Sequence, residues 1–138
     1  MMTVNLPAEV AAMLNDPKAV KILTTVGADG TPHSVRVGSM ASPAPNLISV
    51  GAILMKTSNA NLEATKKAKK LVCVLVNSEM KAYMITAMVK EDLTSGPLFE
   101  GTNAALKPLG MQAKSVWTFE PQGVWDQSAN YNAGKKIA

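Results

Sequence analysis

The chain contains one cysteine, Cys73, and one histidine, His33, in 138 residues. A single thiol excludes an internal disulfide, and one thiol with one imidazole cannot build a zinc ribbon or a multi-histidine centre, so no metal site is expected. Aromatics are equally scarce: two Trp, two Tyr and two Phe leave few platforms on which nucleic-acid bases could stack. No apolar run approaches the ~20 residues of a membrane helix. The longest, Val50 to Met55 and Leu71 to Val76, read as buried strands. The N-terminus lacks the basic flank and long apolar centre of a secretion signal, so the expected location is the cytoplasm. Also missing are a Gly-rich phosphate loop, a Gly-x-Ser-x-Gly elbow and a carboxylate pair beside a nucleophile. The string Ser78-x-x-Lys81 falls between two expected strands instead of on a helix and is read as chance. An enzyme so poor in acid–base groups must take its chemistry from a cofactor.

What is present is enough for a core. Hydrophobic residues make up 47% and charged residues 17%, which excludes disorder and suits one domain spanning residues 1–138. The formal charge of +4 favours a small anionic partner and falls short of a protein that coats nucleic acid.

Periodicity predicts a short helix over Leu6–Leu14, behind Pro7. A strand over Lys18–Val26, a turn at Gly27-Ala28-Asp29-Gly30 and a strand over Pro32–Ser39 follow as a hairpin. In its second strand His33, Val35, Val37 and Ser39 share one face, and Ser34, Arg36 and Gly38 the other. Ala41 to Asn46 reads as a surface loop, Leu47–Met55 as a third strand, and Thr57 or Ser58 as the start of a helix. Strands over Leu71–Asn77 and Tyr83–Lys90, a helix from Thr94 closed at Lys107, and a strand over Lys114–Glu120 ended by Pro121 complete the pattern. The tail from Gly123 reads as polar and irregular. Six strands with short helices make the chain mainly β, a closed or nearly closed barrel with helices at its rims.

The segment Lys56-Thr57-Ser58 sits where a buried strand meets a helix start. Backbone N–H groups, a helix dipole, two hydroxyls and an ammonium converge there, a combination suited to a phosphate. The same residues also describe an ordinary helix start with a solvated lysine. Arg36, the sole arginine, offers a planar charged fork for a phosphate or carboxylate, or a surface ion pair. His33 reads as a hydrogen-bonded surface residue, and Lys66, Lys67, Lys69 and Lys70 as a solvated helix end.

The run Ile22 to His33, with its Asp29-Gly30-Thr31-Pro32-His33 hairpin, then Val50-Gly51 leading to Lys56-Thr57 and Asn61-Leu62, resembles the FMN-binding split-barrel family related to pyridoxamine-phosphate oxidase. The likeness covers about residues 6 to 120, and the tail from Val124 also resembles small members. It implies a six-stranded Greek-key split barrel, a homodimer with FMN at the subunit interface, and work as an oxidoreductase or electron carrier on a small-molecule redox substrate. Lys56 and Thr57 match the phosphate motif, with Ser58 and Asn61 nearby. Arg36, Val37, Gly38 and Ser39 match the segment beside the flavin, and Val50, Gly51 and Ala52 the strand whose backbone approaches the ring. The bulky aromatic that some small members place there is absent near Gly38, and the family also includes deazaflavin, haem and biliverdin binders. The competing expectation is a non-catalytic β-barrel module for an anionic ligand or oligonucleotide, motivated by the charge and the Lys66–Lys70 run.

Overall fold

Strand β1 (Val20–Val26) buries every second side chain, Lys21, Leu23 and Thr25, and turns at Gly27–Gly30 into β2 (Pro32–Arg36). Gly30 takes a φ of +85°, and Asp29 Oδ1 accepts the Thr31 N–H at 3.0 Å, which closes the turn. The structure, a computed structural model, describes residues 2–138. Strands β3 (Ala41–Ala44), β4 (Leu47–Gly51), β5 (Leu71–Ser78), β6 (Lys81–Leu93), β7 (Val116–Asp126) and the two-residue β8 (Lys135–Lys136) complete one antiparallel sheet. The strand order is β2-β1-β5-β6-β7-β4-β3, with β8 on β7. Its two edges, β2 and β3, are consecutive in the chain and joined only by Val37–Met40. So short a link forces the sheet to curl until its edges meet, which makes a barrel with a seam.

Inside lie Leu23, Ile48, Val50, Val74, Val76, Ile85, Trp117 and Phe119, all at most 2% exposed. Each aliphatic side chain so buried contributes about 1.5–3 kcal/mol. Helix α1 (Ala8–Leu14) seats Val10 and Leu14 in this core, with Glu9 close enough that its carboxylate, after burial, helps push the Tyr83 phenol up. Helix α2 (Lys56–Ala68) buries Ser58, Asn61, Leu62 and Thr65, and Asn61 Nδ2 donates to Thr25 Oγ1 at 3.0 Å. The β1–β5 register puts Thr25 near the Leu71 end of β5, whereas Tyr83 pairs with Val76. The two helices therefore close opposite ends of the barrel. Helix α3 (Pro97–Leu106) runs into a 3₁₀ turn at Lys107–Leu109 and packs beside β4 and β7. No helix among the described residues is long and apolar enough to cross a membrane.

Six long strands match the expected six, and two short ones add to them. The Pro/Ser-rich segment expected as a loop contains β3, because Asn15 accepts the Ser42 N–H at 2.8 Å and donates to Ser42 O at 3.1 Å. Pro43 is tolerated because β3 is an edge strand. The expected strand over Leu47–Met55 stops at Gly51, and the second strand stops at Arg36. Conversely, β7 passes through Pro121 to Asp126. The register with β6 shifts between Thr86 and Ala87, so Gln122 is the extra residue of a bulge and Pro121 sits where the ladder is already interrupted.

Candidate functional site

The seam brings the residues Arg36–Ser39 together with the end of β4. Val37 N–H donates to Lys21 O at 2.8 Å, extending the β1 ladder past β2. The next residues cross to the other edge: Ser39 Oγ donates to Gly51 O at 3.0 Å and accepts from Gly51 N at 3.1 Å. Gly51 sits in close quarters: an added Cβ would lie 3.3 Å from Ala113 Cβ, Ser39 Oγ and Thr102 Cγ2, each of which would have to give way slightly. Gly38 is the opposite case: it is exposed and a Cβ there would meet nothing within 4 Å. Between the two edges lies a depression of about 320 Å³, walled by Arg36–Ser39 on one side and Gly51 and Ile53–Met55 on the other. Leu106, Leu109 and Met111 close it.

Next to it, α2 begins without a side-chain cap. Asn59 N–H is the first to bond back to the cap residue, at 2.8 Å to Met55 O, so the N–H groups of Lys56, Thr57 and Ser58 form an uncapped, positively polarised end. Lys56 and Thr57 are exposed and Ser58 is buried. They wall a depression of about 440 Å³ together with His33, Val35, Leu54 and Met55. A third, of about 450 Å³, lies between the β1–β2 turn and Thr57 and Asn61. The first two share Val35, Leu54 and Met55, and the last two share His33 and Thr57, so the three form one groove from hairpin to seam. Asp29 at the hairpin has its carboxyl held below its usual range by the Thr31 backbone N–H and hydroxyl. Thus one end of the groove carries an acid, and the α2 start and Arg36 supply its cations.

Nine of the eleven residues expected at a site line this groove: Arg36, Val37, Gly38, Ser39, Gly51, Lys56, Thr57, Ser58 and Asn61. Val50 and Ala52 lie behind it. Val50 is a fully buried core residue opposite Trp117, and Ala52 donates its N–H to Ser115 O at 2.9 Å. His33, expected on the surface, lines two of the three depressions, and its alternation with Val35 and Val37 was the signal. Leu54 had no such signal. It stands at the groove rim, 98% exposed, with a φ of +52° that a leucine rarely adopts. Cys73 lies elsewhere, on β5, where burial pushes its thiol up and away from reactivity.

No family model matches the sequence, and no curated protein matches it. Solved structures do match. HupZ of Group A Streptococcus superposes with a TM-score of 0.77 at 16% identity, over 94% of this chain and 99% of that one. An FMN-binding protein from Syntrophomonas wolfei gives 0.76 at 14% identity, over 87% and 84%. HutZ, the heme storage protein from Vibrio cholerae, gives 0.64 at 16% identity, over 91% and 97%. At these identities the likeness fixes the fold alone: the chain shares the split-barrel fold of these proteins.

Proposed function

We propose that the groove binds FMN and that the protein is a flavin-dependent oxidoreductase or electron carrier for a small-molecule substrate. The observation that carries this reading is the uncapped start of α2 with Lys56 beside it, continuous with the seam above Gly38. The N–H groups of Lys56, Thr57 and Ser58, with the Lys56 ammonium, would hold the phosphate. The open space over Gly38 and the backbone of Arg36–Ser39 and Gly51 would lie along the ring, and Leu54 would cover its rim. FMN, when bound, supplies hydride or electron transfer that no side chain of this chain can perform.

The proposed assembly is a homodimer. Ile22, Leu75, Met84 and Trp125 are cross-strand neighbours in one row on the outer sheet face, each only partly buried. The helices α1 and α2 close the barrel ends and leave this row without cover, and a two-fold contact through it would cover both copies. Haem is the second ligand considered, because His33, the chain's one imidazole, lines the groove. An oligonucleotide is disfavoured in the groove: no Trp, Tyr or Phe lines it, so it offers no stacking surface.

Titrating the purified protein with FMN and, separately, with haemin tests this reading. One FMN per chain with quenched flavin fluorescence, on a particle that sediments as a dimer, is expected. Haemin binding with a shifted Soret band and no FMN uptake would move the assignment to haem, and a monomer with one FMN per chain would remove the interface.

A further inference from the structure

Lys21 is the only charged residue among the described ones to be almost fully buried, at 4% exposure. It occupies the inward side of β1, in line with Leu23 and Thr25. No hydrogen bond engages its ammonium. The nearest influence is the Asp16 carboxylate, which favours the charge from a distance and whose Oδ1 is already engaged by the Lys18 N–H at 2.9 Å. Burial lowers the Lys21 pKa in spite of Asp16. The stem of Lys21 is buried, but its Nζ is not among the buried unpartnered polar atoms, so the ammonium meets the open space of the cavity it lines with no counter-charge bonded to it.

Lys21 lines a cavity of about 450 Å³ between the seam and α3. The remainder of that wall is mainly apolar, with Met40, Leu98, Ala105 and Leu106 among its members. A mostly apolar concavity with one charged group and a few neutral polar ones, Asn15, Ser39, Ser49 and Thr102, has the composition of a small-molecule site. It is distinct from the groove but adjacent to it, sharing Gly38, Ser39, Leu106 and Leu109.

We propose that this cavity binds a small amphipathic anion, a carboxylate on a short apolar body, with the carboxylate on Lys21 Nζ and the body against Met40, Leu98 and Leu106. The carboxylate supplies the counter-charge that the fold does not place on Lys21, and the ligand's apolar body, seated on the wall, displaces water from beside the pair. This pocket does not depend on what the neighbouring groove holds.

Octanoate and its neutral isostere octanamide are the probes, titrated calorimetrically into the full chain. The wild type is expected to bind octanoate at least about tenfold more tightly than octanamide, the margin of a charge-assisted contact. Lys21→Met keeps the stem and removes the charge, and should bring the two affinities together. Gly101→Leu is the second variant: Gly101 is exposed on α3, lines the cavity, and has nothing within 4 Å of an added Cβ, so a leucine is expected to be accommodated there and to occupy the cavity. It should abolish binding of both probes while FMN affinity stays within about twofold. Equal affinities in the wild type, an octanoate preference that survives Lys21→Met, or binding that survives Gly101→Leu would each overturn the proposal. Octanoate binding without FMN uptake would overturn only the flavin reading, and FMN uptake without an octanoate preference only this one.

Discussion

Single residues at the groove are held in conformations that packing does not require. Leu54 is 98% exposed and sits at a φ of +52°, where an L-residue with a side chain costs about 1–2 kcal/mol. It gives up burial as well as backbone comfort, a combination that belongs at a ligand rim more than at a turn chosen for stability. Leu54→Gly removes the steric strain but adds glycine's larger entropy loss of about 0.5–1 kcal/mol. The expected outcome is a stability equal to the wild type or up to about 1.5 kcal/mol higher in urea unfolding. FMN affinity should fall at the same time. A loss of more than 1 kcal/mol in stability would mean that Leu54 serves the fold and not the groove.

The elements divide by how much of their cause is local. Helix α2 and strands β1, β5 and β6 were legible because their burial alternates or repeats along the chain, as in Val72, Val74 and Val76 facing in from β5. The junction at Lys56 was legible for the same reason, since the apolar strand and the helix-forming residues change over there. Strand β3 was not, because Asn15, 27 residues away, supplies the bonds that hold Ser42 in place. The passage of β7 through Pro121 was hidden too, since only the register with β6 reveals the bulge at Gln122. The same strand explains a glycine. A Cβ on Gly123 would lie 2.7 Å from Trp125 Cη2 and 2.9 Å from Cζ3, so the six-membered ring of the indole occupies the space beside Gly123. Lys136 Nζ stands 5.4 Å from the ring centre on β8. Gly123→Ala must displace the indole and is expected to cost about 1–3 kcal/mol, with a red-shifted tryptophan emission. Unchanged emission and stability would show that the ring has another place to rest.

At the scale of the whole molecule, the groove exists because the sheet is curled and its two edges are consecutive strands. Val37–Met40 must bridge them, so the backbone there is pinned at both sides, to Lys21 O and to Gly51, and cannot be filled in by a further strand. This long-range consequence was not readable from periodicity: Arg36 to Ser39 read as strand, and the closure that makes them a wall appears only in three dimensions. The resemblance to split barrels named those residues together as one wall, and they do line one depression, because it carried topology that composition does not contain. The α2 start meets the groove between the hairpin, which carries Asp29, and the backbone-lined seam, which carries Arg36, so Lys56 stands at its middle, where the proposed phosphate would lie. The most direct measurement is therefore the affinity of FMN against riboflavin in the wild type and in Lys56→Ala, followed by flavin fluorescence. The account predicts that the wild type prefers FMN and that Lys56→Ala weakens FMN by about tenfold while riboflavin binding stays unchanged. Equal losses for both flavins, or a wild type that does not distinguish them, would contradict it.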